Sequence, residues 1–266
     1  MDQKTHIIIQ ARMGSTRLPG KVMMDLSGKP NLWHVIKRCQ ASKRASDVIV
    51  ATTTNSEDDI LQTTCEAWGI SHHRGSANDV LSRYAETVQR FPSDIIVRIT
   101  ADCPFVDPAI IDRIIDELGD AHYATNIFDR EFPHGLDIEV MTRSALEETQ
   151  RSATTSFHRE HVTPYIREHK HDLFSIRRFL MPEEYRFPQF RLTLDTPLDY
   201  QLLRTLYERF YREGELISVP ELLAWLQEHP EIAGINQHVQ QKYDPTTDPR
   251  RDGEGSEKEQ NDNHPR

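Results

Sequence analysis

Apolar residues follow two rhythms along this chain. Short runs rich in β-branched residues stand at His6–Gln10, Asp47–Thr52 and Asp94–Thr100, with a weaker one at His122–Asn126. Their apolar positions are consecutive, which suits strands covered on both faces. Between the runs, apolar residues return every three to four positions over Leu32–Gln40, Glu57–Trp68, Val80–Arg90 and Pro108–Leu118. That spacing predicts helices with one apolar face. Asp107-Pro108 is a helix start, with the acid as N-cap and proline at the first helical position. Strand and helix in alternation predict an α/β protein, a mostly parallel central sheet with helices on both faces.

The second half is mixed. Leu136–Met141 alternates and predicts a strand. Thr155–His169 predicts one helix, Leu173–Phe179 and Phe190–Leu194 strands, and Pro197–Tyr211 and Pro220–His229 helices. No linker separates the halves, so residues 1–243 are expected to form one domain. From Asp244 to Arg266 almost nothing is apolar, and seven acidic side chains face four basic ones. Such a segment cannot bury enough surface to offset its ordering entropy, which predicts a disordered acidic tail.

Composition narrows the function classes. The 266 residues carry 32 Lys+Arg against 42 Asp+Glu, a formal net charge of −10. That balance argues against a nucleic-acid polymer as partner. No apolar run approaches the roughly 18–20 residues of a membrane helix. Cys39, Cys65 and Cys103 are far apart, which excludes a disulfide framework and a cysteine-rich zinc site. The opening residues lack a leader pattern, and a reducing cytoplasm is the expected location.

Against this acidic background one stretch is basic. Gln10-Ala11-Arg12-Met13-Gly14-Ser15-Thr16-Arg17-Leu18-Pro19-Gly20-Lys21 follows the first strand and holds three cations and no acid. A Gly/Ser-rich loop at the carboxyl end of a parallel strand is where open α/β sheets bind ligands. Its backbone N–H groups and cations suit phosphate oxygens. It is not a Walker P-loop: five residues separate Gly14 from Gly20, and Val22 follows Lys21. A Rossmann G-x-G-x-x-G is absent too.

Two aspartates stand at other strand-to-helix turns. Asp102 ends the third strand in Thr100-Ala101-Asp102-Cys103-Pro104. Asp195 stands in Leu194-Asp195-Thr196-Pro197. Two such carboxylates could converge on one Mg²⁺, which takes one or two carboxylates plus phosphates and waters. Asp195 also reads as a helix N-cap, the weaker of its two readings. Cys103 reads as a small buried residue. Three further segments carry candidate chemistry. Arg74-Gly75-Ser76 through Asp79 forms a turn into a helix, where Ser76 or Asp79 also reads as an N-cap. Asp137 and Glu139 lie two apart on a strand, for acceptor hydroxyls or a second metal. His158-Arg159-Glu160-His161 lacks the spacing of a zinc site.

The loop resembles the cytidylyltransferases that activate sugar acids as CMP derivatives. It is most similar to spore-coat polysaccharide proteins of the SpsF type, beside the CMP-Kdo and CMP-sialate synthetases. Gln10, Ala11, Arg12, Ser15, Arg17, Leu18, Pro19, Gly20 and Lys21 carry the match, with support from the Asp102 and Asp195 turns, from Asp79-Val80-Leu81 with Arg83, from Gly135-Leu136-Asp137 with Glu139, and from Arg159-Glu160-His161. The resemblance implies a Rossmann-like nucleotide-diphospho-sugar transferase fold, with a nucleotide-binding part over about 1–120 and an acceptor and dimer part over about 121–243. It implies CTP bound by Gln10, Ala11, Arg12, Gly14, Ser15, Arg17 and Lys21, by Arg74, Gly75, Ser76 and Asp79, and by Ala101 and Asp102. Arg12, Arg17 and Lys21 would serve catalysis, Asp102 and Asp195 would hold Mg²⁺. Gly135, Asp137, Glu139, Arg159, Glu160 and His161 would meet a sugar-acid or phosphorylated-polyol acceptor. It further implies CMP transfer with release of pyrophosphate, and a homodimer. Two other readings stay open: a glycosyltransferase of related fold, although no Asp-x-Asp ends the third strand, and a non-catalytic nucleotide-binding protein.

Overall fold

The computed structural model describes residues 3–240, so the expected tail at 244–266 lies outside the described residues. The chain begins with β1 (Thr5–Gln10), a small hairpin of β2 (Asp25–Leu26) and β3 (Lys29–Pro30), then α1 (Asn31–Gln40). It continues through β4 (Asp47–Thr53), α2 (Asp59–Trp68), β5 (Ser71–Gly75), α3 (Val80–Arg90), β6 (Ile95–Thr100) and α4 (Pro108–Leu118). The remainder adds β7 (Tyr123–Thr125), β8 (Glu139–Thr142), α5 (Arg143–Ser152), α6 (Ser156–His161), α7 (Pro164–Glu168) and β9 (Ile176–Arg178). It finishes with α8 (Pro197–Phe210), α9 (Val219–Glu228) and α10 (Pro230–Ala233).

Seven strands form one sheet in the order β5-β4-β1-β6-β8-β7-β9. Only β8 runs antiparallel, to both β6 and β7. Registers Gln10↔Ala51 and Gln10↔Thr100 level the carboxyl ends of β1, β4 and β6, so their loops leave from one edge. That edge is where a ligand site is expected.

Successive side chains on a strand point to opposite faces. Ile7 and Ile9 therefore join a core with α1, α2, α4, α8 and α9, while Ile8 joins a second with α3, α5 and α7. Helices thus cover both faces, as the consecutive apolar runs require. Asp107 caps α4 through the Ala109 amide at 2.9 Å, with Pro108 at its start.

Three expectations are corrected. Phe190–Leu194 is not a strand: its one ladder contact is a bridge between His134 and Arg191. The segment instead joins two loops, through Leu192 N–H to the His134 carbonyl (2.7 Å) and Leu194 N–H to the Asp102 carbonyl (2.8 Å). The helix over Thr155–His169 splits into α6 and α7 at Val162, whose φ of +70° breaks helical geometry, and at Pro164, which opens α7. The strand over Leu136–Met141 joins the ladder only from Glu139. The β2–β3 hairpin and α5 lacked an apolar rhythm; α5 buries only Ala145, Leu146 and Thr149.

Candidate active site

The loop after β1 is held in shape from below. Gly20, at φ +72°, returns its N–H to the Met13 carbonyl at 3.0 Å and closes Met13–Gly20 into a compact turn. Asp58, fully buried ahead of α2, accepts the Met13 N–H at 2.6 Å and the Thr53 hydroxyl. Sequence reasoning missed Asp58, because an acid at a helix start looks like a solvated one. Ser15 Oγ accepts the Leu18 N–H at 3.4 Å. Gln10 sits at the loop's origin and accepts from the Tyr84 hydroxyl at 3.5 Å.

Lys21, the loop's last cation, joins both candidate metal acids. Its Nζ donates to Asp102 Oδ2 at 2.6 Å and to Asp195 Oδ1 at 2.7 Å. The turn that presents Asp102 is set by Ala101, whose N–H reaches the Gln10 carbonyl and whose own carbonyl accepts Asn31 Nδ2 at 2.6 Å. Arg17 reaches Asp195 Oδ2 at 3.1 Å, and Arg191 reaches the same oxygen at 2.9 Å. Arg191 is a functional candidate that sequence reasoning missed. The alternation Arg191, Thr193, Asp195 was its signal. Asp199 holds Arg191 in turn, through Nε at 2.8 Å, and accepts the backbone N–H groups of Asp195 and Thr196. The N-cap of α8 is Thr196, completed by Asp199 as a capping box, which frees Asp195 from capping.

The electrostatics favour charged forms. Burial pushes the Asp102 carboxyl up, yet Lys21 outweighs it and holds it at about 2. Burial pulls Lys21 down, and Asp102 and Asp195 outweigh that and raise it. Cys103, beside them, is pushed up by burial and by Asp102, so it is a thiol and not a nucleophile.

A hard divalent cation fits this donor set. Two carboxylate oxygens already converge on one cation, and Asp102 Oδ1 meets no cation, with the Cys103 thiol at 3.6 Å. Among the described residues no group of three or more metal-binding side chains occurs. Two carboxylates leave the remaining positions to a ligand's oxygens and water, the usual arrangement for Mg²⁺.

A cytidylyltransferase family model matches residues 6–217. The chain belongs to the cytidylyltransferase family. The spore coat polysaccharide biosynthesis protein SpsF of Bacillus subtilis is 36% identical over 235 residues, 85% of this chain and 95% of that protein. A solved cytidylyltransferase from Leptospira borgpetersenii is 35% identical and superposes with a TM-score of 0.81, covering 91% of this chain and all of that one (100%). The 3-deoxy-manno-octulosonate cytidylyltransferase of Idiomarina loihiensis is 33% identical over 123 residues, only 44% of this chain and 47% of that protein. Among the described residues no helix is long and apolar enough to cross a membrane.

The other predicted residues are placed unevenly in this cytidylyltransferase. Arg12 is exposed and makes no ion pair among the described residues. Gly14 lies under Glu57, whose carboxylate would meet an added Cβ at 2.5 Å. Arg74 is a strap: it donates to the carbonyls of Thr53 (2.7 Å) and Asn55 (2.9 Å) and to Gln62, and it pairs with Asp59 at 2.7 Å. Its donors fix the β4–α2 connection instead of facing a ligand. Ser76 Oγ accepts the Asp79 N–H, and Asp79 caps α3 through Ser82 N–H at 2.9 Å. Asp79 also pairs with Arg159 at 2.5 Å, which ties α6 to α3 and consumes Arg159. Glu160 and His161 are both engaged with protein partners, and the His161 ring lies 5.1 Å from Phe157.

Gly75 is buried beside Arg83 and Glu86, where a Cβ would approach to 3.1 Å and 2.8 Å. Gly135, at φ +104°, is packed on Leu192, with 2.6 Å left for a Cβ. It allows two backbones to cross. Asp137 pairs with Arg130 at 2.9 Å, outside the β8 ladder. Glu139 is 4% exposed and accepts from Arg98, Tyr123 (2.5 Å) and Thr163 (2.5 Å), which leaves no oxygen for an acceptor hydroxyl.

Proposed function

We propose that this cytidylyltransferase transfers CMP from CTP to a sugar acid or phosphorylated polyol, releases pyrophosphate, and thereby supplies a surface-polysaccharide or glycan precursor. The observation that carries the reading is the shared Nζ of Lys21 between Asp102 and Asp195, at the mouth of the basic loop. The family supports cytidylyl chemistry, and the polysaccharide relative supports the acceptor class.

Arg17 and Lys21 neutralise the triphosphate and steady the leaving pyrophosphate. Arg12, exposed and unpaired among the described residues, is available to the same chain of phosphates. Asp102 and Asp195 would hold Mg²⁺, which neutralises phosphate charge and polarises the transferred phosphoryl group. When phosphates draw Lys21 and Arg17 toward themselves, Asp102 loses its cation and Asp195 keeps only Arg191, so each has an oxygen free to ligate. Arg191 and Asp199 keep Asp195 aimed during that exchange. The acceptor oxygen attacks the α-phosphorus in line, so positioning and charge neutralisation suffice and no protein nucleophile is required. Residues 1–243 act as one nucleotidyltransferase domain in this reading.

Pyrophosphate release from the four nucleoside triphosphates, screened against sugar acids and phosphorylated polyols with Mg²⁺, tests it. CTP should be turned over with at least one acceptor. Asp102→Asn should cut that turnover by about a hundredfold or more with the fold intact. Near-normal turnover of that variant at saturating Mg²⁺ removes the metal-site assignment. Release of a nucleoside diphosphate from a sugar donor would instead mark a glycosyltransferase.

A further inference from the structure

Beneath the Gly75–Ser76 turn lies a cation without a counter-ion. Arg83 on α3 is 2% exposed, and no acid pairs with it among the described residues. Its one hydrogen bond runs from Nη1 to the Ser76 carbonyl at 2.7 Å. Nε is buried with no partner. The acids nearest in charge are already engaged, Asp58 with Met13 and Thr53, Glu86 with His73. Burial pulls the guanidinium's pKa down, and Arg12 adds to that effect, so the two cations feel each other.

A buried charge without a counter-ion destabilises the free chain. Other buried arginines of this protein avoid that cost: Arg98 has Glu139, and Arg191 has Asp195 and Asp199. Arg83 is different: its Nε has no partner and no acid pairs with it among the described residues. Its place selects which part of the ligand. Lys21, Asp102 and Asp195 gather phosphate chemistry where β1 and β6 end. Gly75 ends β5, three strand spacings from β6, about 14 Å away. Arg83 therefore serves the end of the nucleotide remote from its phosphates.

We propose that Arg83 reads the pyrimidine, donating from Nε and Nη2 to the ring carbonyl O2 and the adjacent N3 of cytosine. Two parallel N–H groups suit two adjacent acceptors. Uracil offers the same O2 but carries a hydrogen on N3, so donor would face donor. Nε is closed off in the free chain, so the exposed Ser76 turn shifts as the ring enters. The inference rests on CTP being the substrate.

The test compares wild type, Arg83→Met and Arg83→Lys. Calorimetry measures affinity for CTP, UTP, cytidine and tripolyphosphate, and thermal melts are recorded without ligand. Arg83→Met should melt at the wild-type temperature or higher, because it removes an unpaired buried charge. Its CTP and cytidine affinities should fall by about tenfold or more, with tripolyphosphate within about twofold of wild type. Arg83→Lys, which keeps the charge and loses the fork, should lose the preference for CTP over UTP. A destabilised or unfolded Arg83→Met, with Arg83→Lys retaining wild-type affinity and preference, overturns the proposal. So does a loss of tripolyphosphate binding equal to the loss for CTP. Wild type that binds no CTP sinks the underlying substrate reading. Wild type that binds CTP, with variants that bind it equally well, sinks the role of Arg83 alone.

Discussion

Asp102 and Glu139 are both acids near strand ends, both charge-paired, and both held below their ordinary pKa against the upward push of burial. Yet they are opposites in use. Glu139 has three donors of its own, Arg98, Tyr123 and Thr163, and 5% of its side chain reaches solvent. Asp102 shares a single ammonium with Asp195, and 24% of its side chain is accessible. The closed cluster locks β8 to β6 across the Arg98↔Glu139 register. In the open cluster Asp102 Oδ1 meets no cation, while Asp195 takes Lys21, Arg17 and Arg191. What sets Asp102 apart from Glu139 is that it has fewer charged donors of its own and more of its side chain open to solvent.

Exchanging charge for amide at the two acids should break the molecule in different ways. Asp102→Asn should lose activity, as above, with a melting temperature close to wild type. Glu139→Gln should unfold about 3 kcal/mol more easily in denaturant, since it strips a buried arginine of its partner. The folded fraction should still turn over CTP within a few-fold of wild type. An inactive but stable Glu139→Gln would return that residue to the acceptor site.

Gly135→Ala should cost about 2 kcal/mol or more, because φ is +104° and the new methyl meets the Leu192 backbone. Equal stability by chemical denaturation would show that the crossing at Leu192 is loose. Arg74→Ala should cost about 1 kcal/mol and leave the KM for CTP within about twofold. A KM raised about tenfold would place Arg74 at the nucleotide after all.

The smallest effect is in acid. A depressed carboxyl stabilises the fold above its unfolded pKa and loses that effect as pH falls through the folded one. For Asp102 the contribution should be complete above about pH 4, near the ordinary 3.8, and should fade toward pH 2. Lys21→Met should flatten this limb of the stability profile, read by urea titrations at stepped pH. An unchanged limb would show that Lys21 does not hold Asp102 ionised.

Much of this was legible in advance, for identifiable reasons. β1, β4 and β6 are buried on both faces, and burial on both faces writes consecutive apolar residues. Asp102 follows β6 and the loop of Lys21 follows β1, where few residues serve packing, so both stood out; Asp195 stood out by the expected strand before it, which the structure replaces with a segment outside the ladder. Phe190–Leu194 misled because Leu192 and Leu194 are fully buried without pairing in a ladder, and alternation records burial alone. Arg74, Arg159 and Glu139 looked like ligand residues because sequence displays a charge and hides its partner. Asp58 went unnoticed because a buried ion inside a helical pattern looks like one on its wet face, and Arg83 stood out only as part of a family segment, without its burial.

Lys21 and Asp195 are 174 residues apart, and Lys21 and Asp102 are 81 apart. A ribosome delivers these parts in order: the basic loop first, one carboxylate midway, the other late. An unfinished chain thus carries the cationic loop without its second carboxylate or the Arg191–Asp199 brace. Under the proposed mechanism the carboxylate pair is assembled only when Leu194 docks on the Asp102 turn, so a chain that stops before Asp195 should release no pyrophosphate.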